Sequence, residues 1–110
     1  MKRRFNSFAE FYPFYLNEHR DGMCRFLHFT GSCTVLAILG TGLVTGNGLL
    51  FLLLPVAGYG FAWTGHFFFE KNRPATFKHP FYSFVADWVM MKDIILGRIP
   101  MFGTLEPQGL

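Results

Sequence analysis

Four histidines, His19, His28, His66 and His79, carry most of the chain's capacity for chemistry, and Glu70 and Arg73 follow close behind the third. Neutral imidazole suits iron, zinc and copper. Three or four such nitrogens beside a carboxylate suit non-haem Fe(II), which leaves coordination positions open for dioxygen and a chelating substrate. Glu70 lies four residues after His66 and so shares its face of a helix, where it either orients the imidazole or binds the metal itself. Arg73, with Lys71, either meets a lipid or fatty-acid carboxylate or marks a membrane interface. Asp87 is either a hydrogen-bond partner of a histidine or a residue of an exposed polar face.

The elements that must position these groups are apolar. From Phe26 to Phe69 there are 44 residues without Asp, Glu, Lys or Arg, about twice the ~20 that one spanning helix needs. Gly46-Asn47-Gly48 is a turn signal inside this run. The pattern predicts two antiparallel spans, about 27–45 and 48–69. Pro55 is expected to kink the second, and Gly58 and Gly60 to admit a neighbouring backbone. At about 1.5 Å per residue, His28 stands about 26 Å from Thr45 and His66 about 27 Å from Gly48, so the two are level. Helices packed about 8–10 Å apart can bring both onto one ion. His19 lies just before the first span and His79 just before the next helix, on the same side.

Composition agrees with a membrane setting. Hydrophobic residues make up 51% and charged residues 15%, against roughly 25% charged in soluble domains. The basic residues divide five before the silent run and five after it. By the positive-inside tendency both termini and the histidines face the cytoplasm: an inner membrane in a bacterium, the endoplasmic reticulum in a eukaryote. A net charge of +3 without a basic, aromatic-interleaved stripe argues against a nucleic-acid partner. Cys24 and Cys33 read as buried thiols rather than a disulfide or ligand pair. The basic N-terminus lacks a continuous apolar core and a cleavage site, and reads as mature protein.

Two flanking segments complete the outline. Residues 5–16 place Phe5, Phe8 and Tyr12 at helical spacing and are interrupted by Pro13, which predicts a short interfacial helix and a turn. Residues 80–97 start at a proline and stop at Gly97, with Phe81, Phe84, Val85, Trp88 and Ile95 on one face: an amphipathic or re-entrant helix, with a third span as the alternative. The tail after Gly97 reads as irregular. The fold class expected is therefore an all-α integral membrane protein, residues 1–110 forming a single membrane domain built on a transmembrane helical hairpin.

The motifs "YLNEHRDGMCRFLHFTGS", "GYGFAWTGHFFFEKNRPATF" and "SFVADWVMM" resemble the 2-hydroxy fatty acid dioxygenase family of phytosphingosine breakdown, from about Phe11 to Arg98. The family's two histidines separated by eight residues are matched by His19 and His28. Its Gly-His-x-x-x-Glu-x-x-x-Pro-Ala is matched by Gly65, His66, Glu70, Pro74 and Ala75. Lys78-His79 replaces an Asp-Asn pair of the larger relatives, and the chain is shorter than they are. The resemblance implies Fe(II), without haem or 2-oxoglutarate, held by His19, His28 and His66 with His79 or Glu70 nearby. It implies α-oxidation, in which a 2-hydroxy long-chain fatty acid and dioxygen give the acid one carbon shorter and carbon dioxide, with the acyl tail lying toward the lipid. Two other classes remain open: a haem or electron-transfer protein with His28 and His66 as axial ligands, and a non-catalytic membrane scaffold. The number of subunits is open too, a homo-oligomer included.

Overall fold

The computed structural model describes residues 5–107. Among them there is no strand, and four α-helices carry the architecture: α1 (Phe8–Asn17), α2 (Gly22–Thr45), α3 (Leu54–Thr64) and α4 (Pro80–Ile95). A 3-10 segment, Gly48–Leu53, leads into α3, and a π-helical turn, Gly65–Glu70, leads out of it.

Two of these stretches, Gly22–Thr45 and Gly48–Glu70, are long and apolar enough to cross a membrane by length and composition. Their most apolar windows are only 22% and 11% buried. A helix at the centre of a soluble globule would be mostly buried, whereas these turn Leu36, Leu43, Val44, Leu52 and Val56 outward.

The two stretches pack with opposite directions. A Cβ on Gly42 would meet Phe51, one on Gly31 would meet Phe61 and the Ala57 carbonyl, and one on Gly65 would meet the Cys24 backbone at 3.0 Å. The glycines that permit close approach are thus Gly31 and Gly65. Gly58 and Gly60, expected in that role, have only Val35 at 3.7 Å and open space beside them. Between the stretches Gly46 takes the left-handed conformation (φ 71°), and the Asn47 side chain accepts from the Leu49 N–H. Pro55 does not sit mid-helix. It occupies the first turn of α3, where the 3-10 segment hands over and a missing N–H costs least.

At the other end of the two stretches a small aromatic core forms between α1, α4 and the tail, built on Phe11, Tyr15, Leu16, Ala86, Met90, Ile99 and Leu105. Pro13 does not interrupt α1, which runs through it from a Ser7 cap, because the helix is held from outside by packing on α4. In α4 the expected apolar face points the other way. Phe81, Phe84 and Ile95 are exposed, and the inward face consists of Ser83, Ala86, Met90 and Asp93.

The tail is irregular but anchored. Arg25 is fully buried and donates to the carbonyls of His19 and Pro100, both at 2.8 Å, and to that of Gly103. Arg20 and Leu105 exchange two further hydrogen bonds. Gly22 has no room for a side chain, since its Cβ would lie 2.5 Å from the Gly103 nitrogen. The loop holding His19 is therefore clamped by chain more than 70 residues away in sequence.

Candidate metal centre

Three imidazoles converge where the loop after α1, the second turn of α2 and the π turn meet. His19, His28 and His66 are all buried. The Nε2 of His19 lies 3.0 Å from that of His28 and 2.9 Å from that of His66. The π turn admits an extra residue per turn, which re-aims His66 toward the other two.

The opposite edge of each ring decides what those nitrogens are. His19 Nδ1 faces the Tyr15 carbonyl at 2.6 Å, and His28 Nδ1 faces the Cys24 carbonyl at 2.8 Å. A carbonyl only accepts, so each Nδ1 carries the proton and donates it. His66 Nδ1 faces Asn72 Oδ1 at 2.6 Å. The Asn72 amide donates its Nδ2–H to the Glu18 carbonyl at 3.1 Å, which fixes its oxygen toward His66, so His66 too is protonated at Nδ1. All three Nε2 atoms then present bare lone pairs to one another. Close facing lone pairs repel, and what relieves them is a cation. Neutral imidazoles oriented through their outer N–H are how proteins hold metals. Burial, and then the neighbouring imidazoles, hold His19 well below the ordinary histidine range, so it stays in the ligating form at neutral pH.

Cys24 joins these three in a buried group whose ligating atoms all lie within 4.8 Å of one another. Its sulfur sits 3.7 Å from His28 Nδ1, on the far edge of that ring. Both cysteines are free, and Cys33 is exposed on α2 rather than buried.

The other expected residues are placed elsewhere. His79 precedes α4, packed edge-on against Phe5 and Phe11 with ring centroids 5.2 and 5.4 Å away, and is not in the group of four. Glu70 accepts the Asp21 N–H at 2.6 Å, bracing the start of α2 against the π turn, while Asn72 orients His66 in its stead. Arg73 is exposed on the wall of a separate surface pocket that Lys78 and His79 also line. Asp87 accepts a hydrogen bond from Tyr15, whose ring stacks on His19 at 3.9 Å. Burial pushes the Asp87 carboxyl up to about 7, against the opposing pull of the Tyr15 hydroxyl.

A chamber of about 10 Å³ lies against the three histidines, enough for roughly one water. Beyond it runs an apolar groove of about 360 Å³, lined by Val35, Leu39, Leu54, Gly58, Phe84 and Trp88 among others. His28, Tyr59, Ala62 and Asp87 line both, so the groove ends against the histidine chamber.

A buried three-histidine site at the head of an apolar groove frames the comparison with known families. The model of the family described as 2-hydroxy-palmitic acid dioxygenase Mpo1-like matches residues 5–99. The chain belongs to this family. The match runs from α1 to the first turn of the tail and takes in all three converging histidines, Asn72 and the groove. Comparison with curated proteins and with solved structures found no match. For an Mpo1-like chain, the residue that the sequence left unread is Asn72; Cys24, read as a buried thiol, is buried and also lends its carbonyl to His28. Asn72 follows Lys71, whose left-handed φ of 59° ends the π turn, and its N–H returns to the His66 carbonyl at 3.0 Å, a path that the sequence does not signal.

Proposed function

We propose that the chain is a membrane-embedded, Fe(II)-dependent dioxygenase that shortens 2-hydroxy long-chain fatty acids by one carbon. The carrying observation is the convergence of three Nε2 lone pairs, each fixed by a hydrogen bond at Nδ1. His19, His28 and His66 would hold the ion through these nitrogens, and three protein ligands would leave further positions for oxygen ligands. Bound there, Fe(II) would supply the open positions at which dioxygen is activated, while the 2-hydroxy acid is the net source of electrons. The overall reaction balances as 2-hydroxy acid plus dioxygen giving the shorter acid, carbon dioxide and water.

The chain's own residues do the rest. Tyr15, Cys24 and Asn72 hold the three imidazoles in one tautomer and one orientation. Glu70 is a positioning residue that fixes the π turn to the start of α2. The groove receives the acyl tail, its volume lying within the range of small-molecule sites. It keeps bulk water from the reacting head. A haem bridging His28 and His66 is disfavoured, because the rings stand 4.9 Å apart beside a chamber of about 10 Å³.

In this reading lipid covers the outward leucines and valines of the spans and the phenylalanines of α4, so that α2 and the second stretch form a transmembrane hairpin. In the same reading both termini and the site face the cytoplasm, with Arg73 and Lys78 toward anionic head groups, and the basic residues on both flanks of the apolar run support that orientation. The test is incubation of purified, iron-loaded protein with 2-hydroxypalmitic acid in air. The expected product is the fifteen-carbon acid, a number set by the loss of one carbon. Unchanged substrate, with iron bound, would remove the assignment.

A further inference from the structure

Among the described residues, two buried side-chain polar atoms have no hydrogen-bond partner: Trp63 Nε1 and Ser83 Oγ. Both residues line the small chamber against the histidines. Trp63 lies one turn before His66, and Ser83 lies one turn before Asp87 on the inward face of α4, only 2% exposed. The two residues thus meet at one chamber from two different helices.

An unpaired buried donor costs on the order of 1–3 kcal/mol, so two on one chamber wall call for an occupant that accepts from them. The indole N–H is a donor only and cannot be satisfied by a neighbouring N–H. The surrounding wall is selective. The three Nε2 lone pairs repel an acceptor unless a cation stands between, and the groove beyond is apolar. What fits is a ligand with an oxygen acceptor at one end and a long apolar tail at the other.

We propose that Trp63 Nε1–H and Ser83 Oγ–H form the carboxylate-binding pair of this site, holding the head of the fatty acid while its tail fills the groove between α2, α3 and α4. The proposal rests on the assignment of the groove to an acyl chain. It makes Trp63 and Ser83 determinants of head-group specificity: an acid is held more tightly than the same chain ending in a hydroxymethyl group. No covalent step is assigned to either residue.

The test uses metal-loaded protein in detergent, without oxygen so that nothing turns over. Titration calorimetry with 2-hydroxypalmitic acid, and with the 1,2-diol of equal length, is run on the parent chain, Trp63→Phe and Ser83→Ala. Both substitutions delete a donor while keeping or trimming the shape. Each is expected to weaken acid binding by about tenfold or more, with diol binding and bound metal unchanged. Equal losses for acid and diol, or no loss in either variant, overturn the pairing; no loss means the donors serve a trapped water. The two variants report independently, and retained metal shows that the site has folded. If the parent oxidises the acid but the variants bind it normally, this inference fails and the dioxygenase assignment stands. If acid binding falls while the parent leaves the acid unoxidised, the assignment fails and the carboxylate site remains.

Discussion

The two ends of α2 are built on opposite terms. From Gly22 to Ser32 the helix buries Cys24, Arg25, His28 and Gly31; Arg25 bonds carbonyls of other segments, and His28 Nδ1 bonds the Cys24 carbonyl of the same helix. From Cys33 to Thr45 it buries only Gly42, and its leucines and valines face outward. The first end is specified by directional hydrogen bonds that fix atoms to a few tenths of an ångström. The second is specified by hydrophobicity and a few close glycine contacts. The three histidines sit at the end where direction is controlled.

Substitutions can break that contrast. The largest effect is expected at Arg25, whose guanidinium satisfies three carbonyls. Arg25→Met should cost about 3 kcal/mol or more, because it strands buried acceptors and frees the tail from the His19 loop. Thermal unfolding in detergent reads it, and a loss below about 1 kcal/mol would mean that the clamp is ornamental. Next comes Asn72→Ala, which removes the acceptor of His66 Nδ1 without touching the Nε2 edge. Metal affinity should fall 10- to 100-fold with little change in stability, as for other residues that orient a ligating histidine; a competition titration with a chelator measures it. The smallest effect belongs to the far end. Leu43, 67% exposed, should tolerate Leu43→Ala within about 0.5 kcal/mol and keep its metal, by the same two measurements.

The same contrast explains what was legible in the sequence. The charge-free run and its Gly-Asn-Gly turn set the extent of both long stretches, because hydrophobic length is additive along the chain. That His28 and His66 lie level followed from the helical rise alone. The partners of the imidazoles did not follow. Glu70 was the natural guess at i+4 on a regular helix, but the π turn shifts the phase, and the left-handed Lys71 carries Asn72 back to His66 instead. His79 reads as a fourth ligand by type, yet the aromatic cluster of α1 holds it away from the other three. Arg25 reads as a flanking cation, and only contacts with Pro100 and Gly103 reveal its burial. The clamp on the His19 loop is long-range, and no local pattern encodes it.

The central claim is that three Nδ1-pinned histidines hold one metal ion. Metal analysis and an absorption spectrum of anaerobically purified protein, set beside His66→Ala, test it most directly. The account predicts stoichiometric iron without a Soret band in the parent and its loss in the variant. A parent without stoichiometric metal, or a variant that keeps it in full, would contradict the account.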